Sequence, residues 1–195
     1  MKKTLVTVAA MAMFSTAAMA DDFDNTVGKL TVESEAFSLS VSAPKTGAEE
    51  LELAAPVQGV TVSGKVARDG DTMDYQLKAA KTVDIAATPL YVGGSGAFNF
   101  GDSYTSDTRT VVLEGTVGAK TTINNLTPFA EVGYSFKSTT NDIVDFSRDA
   151  SFVKVGASYA VSPTVALNAS VKEVRDINFK NPGDAQAEVG LTVRF

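Results

Sequence analysis

Apolar and polar residues alternate along most of this chain with a period of two. The run is clearest at Ala185–Phe195. Ala185, Ala187, Val189, Leu191, Val193 and Phe195 fall on one side, and Gln186, Glu188, Gly190, Thr192 and Arg194 on the other. Successive strand side chains point to opposite faces, so this is a strand with one apolar and one polar face. Counting backwards by the same pattern predicts strands near 185–195, 164–173, 150–160, 127–137, 108–119, 89–100, 72–80 and 58–67. Leu51, Leu53 and Ala55, and before them Phe37, Leu39, Val41 and Ala43, add strands near 49–56 and 35–43. The pattern thus gives eight strands, or ten with these two, and ten is favoured. Leu30 and Val32 share a parity that switches after Ala36. That switch reads either as a bulge near Glu35–Ala36 or as the point where the first full strand begins.

Turn chemistry punctuates these runs. Asp69-Gly70 lies between two alternating segments, the best local hairpin signal in the chain. Pro56–Gly59 and Ser162-Pro163 also read as turns. Ala80-Lys81-Thr82 leads to Thr88-Pro89, and Ala119-Lys120-Thr121 leads to Thr127-Pro128, a weak internal repeat with a two-strand period. Apart from Asp69-Gly70, these short turns fall at one end of the strand set. The longer polar segments, Gly101–Asp107, Lys137–Asp149 and Lys172–Asp184, fall at the other.

The first twenty residues stand apart. Lys2 and Lys3 precede a small, apolar run from Leu5 to Ala17, and Ala18-Met19-Ala20 is an A-x-A site before Asp21 and Asp22. Residues 1–20 are therefore expected to be a cleaved secretory signal peptide, leaving 21–195 as one domain. Loss of Lys2 and Lys3 leaves 15 of the 17 basic residues against 23 acidic ones, a formal net charge of −8. An acidic chain without a basic run does not suit nucleic acid. The chain has no cysteine, histidine or tryptophan. An exported protein without disulfides needs another source of stability, and a closed barrel without unpaired edges would supply it.

The A-x-A site, the repeated Thr-Pro turns, the rim asymmetry and the alternation ending at Phe195 resemble the small bacterial outer-membrane β-barrel, porin-like superfamily. The resemblance covers most of residues 27–195 as a pattern, with no subfamily motif. It implies an all-β, closed, antiparallel up-and-down transmembrane barrel in the outer membrane of a Gram-negative bacterium. Strands of about nine residues match the roughly 9–11 needed to cross, and both counts are even, as expected of single-chain bacterial barrels. In such barrels Phe195 would be the assembly signal, read by the assembly machinery through the C-terminal strand. The expected partners are that machinery, outer-membrane lipid and lipopolysaccharide.

Parity sends the polar faces inward, because Lys or Arg facing lipid at mid-membrane costs roughly 2–4 kcal/mol. In so narrow a barrel Glu114, Glu131, Lys154, Glu188 and Arg194 are expected to form a charge network in a largely filled lumen. Enzymes of this architecture generally rely on a histidine general base, which this chain lacks, so it reads as a non-enzyme without a cofactor. Asn141, Asp142, Asp145 and Asp149 match no cation-loop spacing. Arg148, Lys172, Arg175 and Lys180 read as solvated loop charge before lipopolysaccharide contacts. The expected role is structural, adhesive or minor small-solute transport. The alternative is a soluble periplasmic β-sandwich or barrel that binds a small ligand.

Overall fold

The computed structural model describes residues 26–44, 48–70, 72–103, 106–140, 145–175 and 182–195. They form eleven strands: β1 Thr26–Glu33, β2 Ser38–Pro44, β3 Glu49–Val57, β4 Val60–Asp69, β5 Thr72–Asp84, β6 Leu90–Ser103, β7 Ser106–Lys120, β8 Leu126–Thr140, β9 Asp145–Ser162, β10 Val165–Arg175 and β11 Pro182–Arg194. Each pairs with its sequence neighbours, and β1 closes the barrel against β11. The expected signal peptide lies outside the described residues, as do Asn141, Asp142 and Lys180.

The strand count corrects the expectation of ten, and of eight. The ten expected strands are present as β2 to β11. The eleventh is β1, which pairs antiparallel with β2 and parallel with β11. The barrel is thus antiparallel everywhere but at this seam. The parity switch after Ala36 is not a bulge: a tight turn ends β1 there, and β2 starts just after it at Ser38. Ser34 N–H donates to the Phe37 carbonyl at 2.8 Å, and Ser34 Oγ accepts from the N–H groups of Ala36 and Phe37. A serine hydroxyl replaces the Gly, Pro, Asn or Asp that usually signals a reversal.

The other reversals follow the sequence more closely. Gln58 and Gly59 both adopt positive φ, 51° and 78°, the two-residue hairpin geometry that matches strand twist. Gly70 has φ 59° at the β4–β5 reversal. The two Thr-Pro pairs differ in place. Thr88-Pro89 precedes β6, whereas Thr127-Pro128 lies inside β8, and the reversal before it turns on Asn124 at φ 56°. The turns after β1, β3, β5, β7 and β9 share one rim, the turn rim. The connections after β2, β4, β6, β8 and β10 share the other, the loop rim.

The ladder can be followed right round the wall. Leu126 faces Tyr159, then Leu167, Leu191, Leu30, Val41, Leu51, Val66, Tyr75, Phe100 and Arg109. Arg109 returns to β8 at Thr140, fourteen residues beyond the start. Such a stagger requires strands tilted by roughly 35–45° to the barrel axis. Most residues on this circuit are large and apolar, and they lie on the outer face. Leu77, Leu113 and Val132 are 58%, 54% and 49% exposed on it. A continuous apolar exterior is the inverse of a soluble core. Among charged outer-face residues, Arg109, Asp149, Glu173 and Arg175 sit toward the loop rim, and Lys81 toward the turn rim.

Candidate functional site: the barrel lumen

Side chains of the opposite parity meet across strands that are not neighbours, which only the inside of a closed barrel permits. Lys172 on β10 reaches Glu114 on β7, with Nζ 3.6 Å from Oε2. Tyr91 on β6 donates its hydroxyl to Glu131 on β8 at 2.8 Å. Lys120 on β7 pairs with Asp84 on β5 at 2.8 Å. The lumen is therefore the candidate site, and its two walls differ in kind.

The wall from β6 to β10 is built on glycines that make room for rings. A Cβ on Gly118 would collide with the Tyr91 ring, one on Gly133 with Phe152, and one on Gly156 with Phe129. Each ring crosses to the adjacent strand and lies over the glycine there. A lysine sits over each ring. Lys172 Nζ is 3.9 Å from the Phe152 centroid, Lys120 is 5.4 Å from Tyr91, and Lys154 is 5.7 Å from Phe129. The ring quadrupole attracts an ammonium by about 0.5–2 kcal/mol, more where water is excluded. Phe152, at 2% exposed, is the best shielded of the three, and it has the closest lysine. Lys154 and Lys172 are register partners. Like charges placed opposite each other repel, and Lys172 relieves this by turning over Phe152 toward Glu114.

The wall from β2 to β5 carries smaller groups. Ser38, Ser40, Ser42, Ala54, Ser63 and Ala67 face inward, along with Glu50, Glu52 and Lys65. Lys65 Nζ donates to Glu50 Oε1 at 2.6 Å. Neutral pairs stitch neighbouring strands around the lumen. Thr31 bonds Ser40 at 2.9 Å, Gln76 bonds Asn99 at 2.7 Å, and Thr110 bonds Thr139 at 3.0 Å. Asn168 donates to Thr192 at 2.9 Å beside the seam. Each bond satisfies polar groups that would otherwise lack partners at membrane depth.

The five charges singled out from sequence share the inward parity but not one network. Glu114 bonds Lys172, and Glu131 bonds Tyr91. Lys154 faces Glu131 in register and lies over Phe129. Glu188 lies opposite Val27 and Ser170. Arg194 is at the turn rim, with Nε 2.9 Å from Glu33 Oε2. Among the described residues none of the five is ion-paired with another. Their partners Lys172, Tyr91 and Glu33, and the ring seats at Gly118, Gly133 and Gly156, were missed as a set. Strand parity gives the face a residue occupies, and register with the neighbouring strand gives what it touches.

Phe195 lies beside Arg194 at the turn rim. Its N–H donates to the Glu33 carbonyl at 3.2 Å, and its ring meets Phe37 edge-on at 6.4 Å between centroids. Among the described residues no group of three or more His, Cys, Asp or Glu is arranged to hold a metal.

Comparison with known proteins gives a family. The family described as outer membrane protein beta-barrel domain matches residues 6–195. No curated protein matches the chain. Among solved structures, the outer-membrane expressed OmpT of Vibrio cholerae is similar over 74% of this chain and 52% of its own, at 13% identity and a TM-score of 0.42. The chain thus spans about half the length of that protein.

Proposed function

The chain belongs to the outer membrane protein beta-barrel domain family, and on that premise we propose a small integral barrel with a structural role and a slow passage for small polar solutes. The observation that carries this reading is the pairing of an apolar exterior with an interior of cross-barrel ion pairs and seated rings. The rings of Tyr91, Phe129 and Phe152 with their lysines occupy the lumen along the β6–β10 wall. That favours a narrow, slow path over a wide channel.

In this reading the turn rim faces the periplasm and the loop rim faces outward, the usual asymmetry of such barrels. The apolar belt contacts lipid, and the loop-rim charges meet lipopolysaccharide. The C-terminal strand, with Phe195 as its signal, is offered to the assembly machinery. The protein acts without a cofactor and performs no chemistry.

Fractionation tests the proposal. The protein is expected in the outer-membrane fraction, extractable only with detergent, with a gel mobility that shifts on boiling. Soluble material whose mobility does not change on heating would favour the periplasmic ligand-binding alternative.

A further inference from the structure

We propose that the passage runs along the β2–β4 wall rather than through the centre of the lumen, with the Glu50–Lys65 pair as its constriction, and that it admits uncharged and zwitterionic solutes. The inference rests on the proposed reading of the lumen as a slow passage, and it adds the route, the narrow point and the solute class.

Two cavities carry it. One, of about 350 Å³, opens at the loop rim against Glu50, Lys65 and Ala67. The other, of about 340 Å³, lies at the turn rim against Ser38, Ala54 and Thr61. The first reaches round from β3 to β8 and the second from β1 to β4, so they share β3 and β4 and lie at opposite ends of those two strands. Between them lie the register partners Glu52 with Lys65 and Ala54 with Ser63. Among the described residues the opposite wall offers no such lane, because its glycines are covered by the rings they seat. Along β3–β4 the inward groups are small except at Glu50, Glu52 and Lys65, where Lys65 Nζ closes on Glu50 at 2.6 Å. The side chains of that pair keep 24% and 35% of their exposure, so solvent in the lumen reaches them.

The solute class follows from the lining charge. Glu50 and Asp74 face Lys65 and Lys137 around the loop-rim cavity. Acids and lysines balance there, but Glu52 between the cavities and Glu35 at the turn-rim cavity leave the route as a whole acidic, so it repels an anion. An anion sheds its hydration in a narrow polar lane without a surplus counter-charge. Neutral and zwitterionic solutes avoid that cost.

The test uses the full chain purified into proteoliposomes, with glycerol and glycine as solutes and acetate as the charged comparison. Wild type should pass glycerol and glycine slowly and acetate more slowly still. The double variant Glu50→Ala/Lys65→Ala should raise glycerol flux several-fold, and the exchanged pair Glu50→Lys/Lys65→Glu should restore the wild-type rate. A small neutral thiol reagent should block flux through Ala54→Cys and leave flux through Ser135→Cys, on the opposite wall, unchanged. Heat-shifted mobility on gels confirms that each variant is folded. Unaltered flux in the double alanine variant, block at Ser135→Cys instead of Ala54→Cys, or acetate passing as fast as glycine would each overturn the inference while leaving a passage in place. No flux in wild type or in any variant would overturn the reading of the lumen as a passage, and the inference with it.

Discussion

Gly133 and Gly115 are register neighbours of Phe152 and Tyr134, yet they answer to different constraints. Gly133 faces the lumen, where the Phe152 ring occupies the space a Cβ would take. Gly115 faces outward, with nothing within 4 Å of an added Cβ. Gly133→Val should therefore displace the ring and the Lys172 ammonium above it. Overpacking of this kind costs about 1–3 kcal/mol, read as a lower urea midpoint for the refolded barrel. Gly115→Ala should leave the midpoint unchanged or raise it, since alanine restricts the unfolded chain. Equal effects at the two positions would show that the ring does not sit on Gly133. At this scale the sequence was half legible. Alternation put Gly133, Gly156, Lys154 and Glu131 on one face, but the ring seats depend on which residue of the next strand lies opposite. The reversals set that register, and the one around Asn124 was misplaced by two to three residues.

β1 marks the limit of legibility at the scale of the element. The apolar positions Leu30 and Val32 were visible, and so was the change of parity. What hid its separation from β2 was the turn after it, Ser34-Glu35-Ala36-Phe37, which has no Gly, Pro, Asn or Asp. Its second disguise was the rule that single-chain bacterial barrels have even strand numbers. An odd count requires one parallel pair, and here that pair is β1 with β11. Parallel pairing is slightly weaker per residue, but this seam gains Arg194 on Glu33, and Thr31 on β1 bonds Ser40 on its other side. The seam predicts a specific cross-link. Val32 and Val193 are register partners, so Val32→Cys with Val193→Cys should oxidise to a disulfide in isolated outer membranes. If instead Leu39→Cys cross-links to Val193→Cys and the first pair does not, β2 closes the barrel directly and ten strands is the right count.

For the molecule as a whole, the alternation of the strands decides the solvent on each side of the wall. The exterior belt, with Leu77, Leu113 and Val132 about half exposed, would be a severe aggregation liability in water and is the expected surface in lipid. Val132→Arg should cost roughly 2–4 kcal/mol of folding stability in bilayers if it lies near mid-membrane, measured by denaturant titration in vesicles. Ser135→Arg, facing the lumen, should cost far less, because lumen water and nearby Glu114 receive the charge. This level was the most legible in the sequence. Class, closure and the inward set followed from a period of two and the placing of turns. The division of the lumen into a ring wall and a serine wall did not, because it arises from side chains far apart in the chain.

The most direct test of the account is a cysteine scan along β8 from Ala130 to Phe136 in intact outer membranes. Each variant is treated separately with a membrane-impermeant thiol reagent small enough to enter the lumen and with a lipid-soluble one. The account predicts alternation: positions 131 and 135 react with the aqueous reagent, and 130, 132, 134 and 136 with the lipid-soluble one. Position 133 is left as glycine, because the Phe152 ring occupies the space of its Cβ. Aqueous labelling of both sets alike would place water on both faces of the wall and contradict a membrane barrel.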